Sequence, residues 1–159
     1  MMTMCPTCYE LHSDIWSKPC CRCADKTVPV EPELIISVQL FLERGFNVTS
    51  ATYYQEGTGS DCIEIEIRFG KLYTDNLFSE LQPDWSVTDE YPVVGDELGE
   101  PHSILSCRVE QTTDESIETQ KEQVIRSLEL WLDERDPQAC KSLIASTLYS
   151  GAGLYGCFN

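Results

Sequence analysis

The sequence lacks a long uninterrupted apolar stretch, and its longest runs are only a few residues, such as Leu34-Ile35-Ile36. A segment that crosses a bilayer needs about 20 apolar residues, so we expect no membrane span. The first residues also lack a basic region followed by an apolar one, which is the pattern of an export signal. We therefore expect the chain to be cytoplasmic.

Basic residues are scarce. The 159 residues include 11 Lys and Arg against 27 Asp and Glu, which gives a net charge of −16. No Lys or Arg occurs between Lys71 and Arg108, a segment rich in acids. Because nucleic acids and anionic membranes bind clustered Lys and Arg, we expect neither to be a direct partner. A dense negative surface instead favours a protein partner with a basic surface.

Sequence patterns of common enzyme sites are missing as well. The chain has no Walker loop, no G-x-S-x-G and no H-E-x-x-H. Gly151-x-Gly153-x-x-Gly156 matches the dinucleotide fingerprint in its letters, but it follows a predicted helix, whereas that fingerprint follows a strand. The chain has two histidines, and the one conceivable nucleophile–base pair is Cys107 with His102. We expect no enzymatic activity.

The sequence is rich in cysteine near its start. Of nine cysteines, five lie within the first 23 residues, and four of these form two C-x-x-C pairs separated by eleven residues: Cys5, Cys8, Cys20 and Cys23. Two such pairs that face each other can close a tetrahedral four-thiolate shell around Zn²⁺. A segment of about 25 residues is too short to build a core, so the metal would substitute for one. We predict a closed, structural zinc site.

The choice of ligands has two alternatives. Cys21 competes with Cys20, and His12 lies close enough along the chain to replace one thiolate. We favour Cys20 because it completes a C-x-x-C pair with Cys23. A redox C-x-x-C follows a strand and opens a helix, and no strand is predicted before Cys5. Three scattered cysteines are predicted to be structural and unreactive: Cys62, Cys107 and Cys140.

Composition divides the chain into four parts. Residues 1–27 form the predicted zinc ribbon, 28–32 a stiff extended linker, 33–150 an acidic α+β domain, and 151–159 a flexible tail. Helices mixed with strands, without strict alternation of the two, predict an antiparallel sheet with helices packed on one face.

Local patterns predict the elements of the acidic domain. A helix face runs from Leu34 to Leu42 and Gly45 caps the helix. Alternation predicts a strand with one face formed by Phe46, Val48, Ser50, Thr52 and Tyr54. The remaining predicted elements are a strand over 62–69, a short helix over 74–81, strands over 85–87, 91–94 and 104–110, a long helix opened by the capping box Thr112-x-x-Glu115, and a final helix from Asp136 to Gly151.

The ribbon, the helix ending in Arg44-Gly45-Phe46, the hairpin and the turn Leu81-Gln82-Pro83-Asp84-Trp85 together resemble small uncharacterised proteins of bacteria and their phages. The likeness spans residues 5–135. Those proteins have no established activity, so the resemblance implies a cytosolic bacterial or viral accessory protein or regulator, and it assigns no functional residue.

These features predict a non-enzymatic interaction protein. The ribbon would display a rigid loop, and the acidic domain would supply a second surface for a protein partner. The predicted partner-binding residues are Trp16, Asp84, Trp85, Asp89, Asp96 and Glu97. One alternative is an acidic nucleic-acid mimic that inhibits a nucleic-acid enzyme through residues 72–107. Another is contact with nucleic acid through bases of the ribbon, namely Lys18, Arg22 and Lys26.

Overall fold

The computed structural model describes residues 1–13, 19–20, 22–56, 62–112 and 114–158. These residues form one large β-sheet, a small second sheet and three α-helices. The strands are β1 (Met2–Met4), β2 (Leu11–His12), β3 (Val28–Val30), β4 (Val48–Glu56), β5 (Cys62–Phe69), β6 (Trp85–Glu90), β7 (Val93–Val94), β8 (Glu97–Leu98) and β9 (His102–Glu110). The helices are α1 (Ile35–Glu43), α2 (Ile117–Asp133) and α3 (Pro137–Phe158), and 3₁₀ turns cover Pro32–Leu34 and Asp75–Phe78.

The large sheet has one apolar face and one polar face. Its strand order is β2-β1-β3-β4-β5-β9-β6, and neighbouring strands are antiparallel except for the parallel pair β3 and β4. In β5, Ile63, Ile65 and Ile67 are fully buried, whereas Glu64 and Glu66 alternate with them on the other face. Apolar side chains of all three helices join the buried face. The predicted α+β class is confirmed, with one parallel pair in a sheet that was expected to be antiparallel.

Residues 28–31 of the predicted linker are extended and Pro32 begins a 3₁₀ turn, but β3 lies within the sheet and is not a free linker. It pairs with β1 on one side and meets β4 at Val30 and Ala51 on the other. Val28 and Val30 are buried in the same core as the helices. The Val-Pro-Val alternation explains this, because the two valines face inward and Pro29 lies between them. The N-terminal segment is therefore continuous with the sheet.

A β-bulge in β4 changes which residues face the core. The register of β4 against β5 shifts after Val48. Beyond the bulge Ala51 is buried, and the polar face receives three residues that were expected to share a face with Val48: Ser50, Thr52 and Tyr54. That part of the strand prediction is wrong, because one extra residue reverses the in-and-out alternation.

The end of α1 follows the prediction, whereas the next helix is shorter than predicted. Gly45 has a φ of 89°, and its N–H donates to the carbonyl of Leu42 at 3.1 Å. A Cβ at this position would lie 3.0 Å from Cγ of Lys141, so glycine is favoured for both reasons. The helix predicted over 74–81 is a 3₁₀ turn over Asp75–Phe78, and a 3₁₀ turn suits so short a segment.

The start of α2 and the end of α3 differ from the predictions. Ser116 caps α2 in place of Thr112, since its Oγ accepts the N–H of Thr119 at 3.2 Å. α3 continues to Phe158, so the helix end predicted at Gly151 is wrong. A glycine inside a helix costs about 1 kcal/mol, which is not enough to end it. Of the helices in the described ranges, none combines the length and the apolar composition of a membrane span.

A ring stack joins α2 to the 3₁₀ turn at Asp75–Phe78, and a buried arginine joins α1 to the turn that follows α2. The indole N–H of Trp131 donates to the carbonyl of Ser79 at 3.0 Å, and its ring stacks on Phe78 with centroids 6.3 Å apart. Arg44 is buried and donates from Nε to the carbonyl of Arg135 at 3.0 Å. This bond ties the end of α1 to the turn between α2 and α3.

Leu128→Ala should lower the free energy of unfolding by about 2–5 kcal/mol, because Leu128 is fully buried and its truncation leaves a cavity. The control is Leu130→Ala in the same helix, which truncates a side chain that is 48% exposed and should cost less than about 1 kcal/mol. Denaturant unfolding of both variants measures the difference, and equal losses would contradict this placement of the core.

Candidate metal centre

The first C-x-x-C pair lies in a tight turn at the tip of a hairpin, which we name the first knuckle (Cys5–Glu10). It joins β1 to β2, whose residues Thr3 and His12 pair directly. The N–H of Cys5 donates to the carbonyl of Glu10 at 3.0 Å, and the N–H of Tyr9 donates to the carbonyl of Cys5 at 2.9 Å. These bonds close the turn, so both cysteines of the pair lie on one side of the tip.

The second pair lies in a turn of the same build, the second knuckle (Cys20–Asp25). A β-bridge between Pro19 and Lys26 flanks it. The N–H of Cys20 donates to the carbonyl of Asp25 at 2.8 Å, and the N–H of Ala24 donates to the carbonyl of Cys20 at 2.7 Å. The two knuckles thus repeat the same two backbone hydrogen bonds, fifteen residues apart in the sequence.

The residue after each C-x-x-C pair has left-handed backbone geometry. Tyr9 has a φ of 63° and Ala24 a φ of 58°. Residues with a Cβ rarely adopt this conformation, which costs roughly 1–2 kcal/mol. Both turns carry this cost at matched positions. Interactions other than local backbone preference must therefore stabilise this conformation.

The two knuckles bring their sulfurs together. The Sγ atoms of Cys5, Cys8, Cys20 and Cys23 all lie within 4.8 Å of one another, and those of Cys8 and Cys20 are 3.8 Å apart. A tetrahedral site with Zn–S bonds of about 2.3 Å separates its sulfurs by about 3.8 Å. The four cysteines therefore lie close enough to hold one metal ion.

Backbone hydrogen bonds favour the thiolate form of the first cysteine in each knuckle. Burial acts to raise the pKa of Cys5, but hydrogen bonds from backbone N–H groups, with that of Cys8 foremost, lower the pKa to about 7. The N–H groups of Arg22 and Cys23 lower the pKa of Cys20 in the same way. Cys23 has a pKa raised to about 12, because its thiol hydrogen-bonds to Cys8 and is desolvated. The raised pKa disfavours the thiolate form of Cys23. A divalent cation would favour that form, because it stabilises adjacent thiolates.

Each knuckle also carries an acid whose side chain reaches the other knuckle. The hydroxyl of Thr7 donates to the carboxylate of Asp25, and the thiol of Cys20 lies 3.8 Å from the carboxylate of Glu10. Both acids occupy the second position after their C-x-x-C pair, so the sequence contains a repeated six-residue pattern, C-x-x-C-x-acid. The acids belong to this pattern, so an interpretation based on cysteine spacing alone misses it.

His12 lies beside the four sulfurs. Its Nε2 is buried and has no hydrogen-bond partner among the described residues. A ring nitrogen of His12 lies within 4.8 Å of Sγ of Cys20 and of a carboxylate oxygen of Glu10. The group of four cysteines is complete without it, and the interaction of the His12 ring with Cys20 contributes to the lowered pKa of that thiol. The competing thiol, Cys21, lies outside the described residues.

The scattered cysteines are separate from the cluster. Cys62, Cys107 and Cys140 are buried, and burial raises the pKa of Cys107 to about 12. His102 lies five residues before Cys107 in the same strand. Because side chains alternate between the two faces of a strand, His102 is on the polar face, where its Nε2 lies 3.3 Å from the carboxylate of Glu90. These positions do not form a nucleophile–base pair.

The residues predicted to bind a partner differ in their burial. Trp16 lies outside the described residues. Trp85 is 4% exposed and donates its indole N–H to the carbonyl of Val124 at 3.0 Å, so it is a core residue and not a surface anchor. Four acids are exposed: Asp84, Asp89, Asp96 and Glu97. Asp84 precedes β6 and Asp89 lies near its end, which separates them by roughly 17 Å.

Comparison of the chain with protein-family models, curated protein sequences and solved structures finds no match. The resemblance to small bacterial and phage proteins therefore stays a prediction, and the function has to be inferred from the site itself.

Ala24→Gly should raise the free energy of unfolding by about 1 kcal/mol, because glycine adopts a positive φ without the steric cost of a Cβ. The control is Ala145→Gly at an exposed position inside α3, which should lower the same quantity by about 1 kcal/mol. Thermal or denaturant unfolding of the metal-loaded protein measures both. A loss of stability in both variants would contradict the knuckle geometry.

Proposed function

We propose that the chain is a non-enzymatic accessory protein that holds one structural Zn²⁺ and binds a protein partner with a basic surface. The ligands of the zinc ion are Cys5, Cys8, Cys20 and Cys23. The observation that carries the metal assignment is the convergence of four sulfurs from two turns of the same build. Zinc holds the two N-terminal turns together, and the acidic part of the sheet domain provides recognition.

Zinc is favoured over Mg²⁺ and Ca²⁺ by the donor set. Thiolates are soft ligands that suit Zn²⁺, whereas Mg²⁺ and Ca²⁺ prefer oxygen. Four thiolates complete the shell of a tetrahedral zinc ion, so no position would be left for water or a substrate. A site closed in this way contributes folding energy and does not activate a nucleophile.

The N-terminal segment needs such a cross-link because it contributes little to the core. Of the residues before the 3₁₀ turn at Pro32–Leu34, the buried apolar cluster includes only three described side chains: Met4, Val28 and Val30. β2 is two residues long, and β3 meets β4 through a single residue pair. Without a metal, these strands lack the burial that would compensate for their ordering.

The assignment of a basic protein partner rests on charge. The exposed acids Asp84, Asp89, Asp96 and Glu97 lie in a segment, residues 72–107, that contains no Lys or Arg. Such a surface attracts a basic partner and speeds its association at low salt.

Metal content tests the zinc assignment. The chain purified in reducing buffer should contain one zinc per molecule by elemental analysis. Replacement by Co²⁺ should give the visible absorption of a tetrahedral thiolate site, because the donor set is four sulfurs.

A matched pair of variants makes this prediction specific to the cluster. Cys8→Ala should reduce metal affinity by at least about tenfold, whereas Cys140→Ala, which removes a buried thiol of α3, should leave metal content unchanged. The absence of bound metal in the unmodified chain, or equal loss in both variants, would contradict the assignment.

Removal of the metal by a strong chelator should loosen one edge of the sheet. Amide hydrogen exchange should increase in β1, β2 and β3, while β5 and β9 stay protected, because Ile63, Ile65 and Leu105 keep their packing against the helices. Hydrogen-exchange mass spectrometry measures this. Unchanged exchange at the N-terminal strands would show that the metal does not stabilise them.

A further inference from the structure

The chain between β6 and β9 forms a small hairpin of its own, which we name the tip hairpin (residues 91–100). β6 and β9 pair as far as Glu90 and His102, and beyond that point β7 and β8 form a separate two-stranded sheet. The tip hairpin therefore extends beyond the pairing of the large sheet at its β6 edge.

Apolar side chains are concentrated on the tip hairpin although they do not join the core. The exposed fractions are 62% for Tyr91, 66% for Val93, 72% for Val94 and 78% for Leu98. Single exposed apolar residues are common, but four within eight positions are a concentration of exposed apolar side chains that is typical of an interaction site.

The pairing of β7 and β8 places these side chains on two faces. Val93 lies directly opposite Leu98, so the two side chains are neighbours on one face. Val94 lies opposite Glu97 on the other face. One face of the paired residues is thus apolar and the other is mixed, and the exposed Tyr91 lies two residues before Val93 in the chain.

The tip hairpin is held in shape by its own backbone. Gly95, with a φ of 66°, is the first of the two residues that turn the chain between β7 and β8, a position that favours glycine. At the base, the N–H of Gly99 donates to the carbonyl of Pro92 at 2.7 Å. A preformed hairpin loses little conformational entropy when it binds.

Acids lie beside the apolar residues of the tip hairpin, and this determines the kind of partner. Asp96, Glu97 and Glu100 are exposed on the tip hairpin, and the segment around it, residues 72–107, contains no Lys or Arg. A second copy of the chain would bring the same acids together, and nucleic acid would be repelled by them. An apolar groove with Lys or Arg at its rim matches both the apolar face and the acids.

We infer that the tip hairpin is the element that docks into the partner, with Tyr91, Val93 and Leu98 entering an apolar groove of a protein whose rim carries Lys and Arg. This inference rests on the proposed function and specifies its binding surface.

The test uses the full chain with a photo-crosslinking amino acid at one position, expressed in the cells from which the chain comes. The positions are Val93 on the apolar face, Val94 on the opposite face, and Ile36 in α1 as a distant exposed site. A general lysine- and carboxyl-directed crosslinker, applied to the unmodified chain, reports partner binding through any surface. Mass spectrometry then identifies the crosslinked segment of the partner.

Capture should be strongest from position 93, on a partner segment that combines apolar residues with Lys or Arg. With the purified partner, V93S/L98S should weaken binding by about tenfold or more, whereas V94S should change it by less than about threefold. D96N/E97Q should weaken binding and reduce its dependence on salt.

Other results would overturn the inference in distinguishable ways. If the general crosslinker joins a basic partner but V93S/L98S binds it as tightly as the unmodified chain, partner binding stands and the tip hairpin is not its site. Crosslinks from position 93 to another copy of the chain, or to a segment without bases, would overturn the proposed docking. If no protein is joined by either method, both the docking and the partner assignment fail, while the metal assignment is tested separately by elemental analysis.

Discussion

The structure of the N-terminal segment depends on four sulfurs that must come within a few ångströms of one another. Two hairpin tips achieve this by repeating one turn, with the same pair of backbone hydrogen bonds and the same left-handed residue after the second cysteine. Neither Tyr9 nor Ala24 favours that geometry. Four like-charged thiolates also repel one another. Both costs can be offset by a cation bound among the sulfurs, which would explain why such a short segment adopts strained turns although it contributes few side chains to the core.

The metal centre affects the sheet through connectivity. Cys5 directly follows β1, so the first knuckle fixes the end of the strand that pairs with both β2 and β3. β3 in turn carries Val30 into the main core. A metal ion bound by the four cysteines would cross-link one edge of the sheet, and its effect would diminish at β4, where the apolar contacts of the helices take over. Stability would then be divided between a metal-dependent edge and a core that packs by burial alone.

The four-cysteine cluster could be predicted from the sequence because the spacing of the cysteines is a local property. The two C-x-x-C pairs identify four sulfurs that lie together in the structure. The alternation of Ile63, Ile65 and Ile67 likewise identifies a buried strand. The errors have non-local causes. The bulge after Val48 reverses which side chains of β4 face the core, and the apolar pattern of the sequence does not show it. From the sequence, β3 is interpreted as a linker because three residues are too few to show a periodic apolar pattern. Trp85 lies among acids in the sequence, but in the structure it is buried in the core and its indole N–H donates to a carbonyl of α2.

The two proposed activities lie at opposite edges of the sheet, which makes them separable. From β2 to β6 there are six strand spacings, so the metal centre and the tip hairpin are about 29 Å apart across the sheet. Between them lie β4, β5 and β9, whose core packing does not involve the metal. Coupling between distant sites requires an element with two arrangements that both sites influence, and a strand such as β5, with Ile63, Ile65 and Ile67 fully buried, is a poor candidate. Metal binding should therefore act on the amount of folded protein and on the order of the N-terminal edge, and it should leave the intrinsic affinity of the tip hairpin for its partner unchanged.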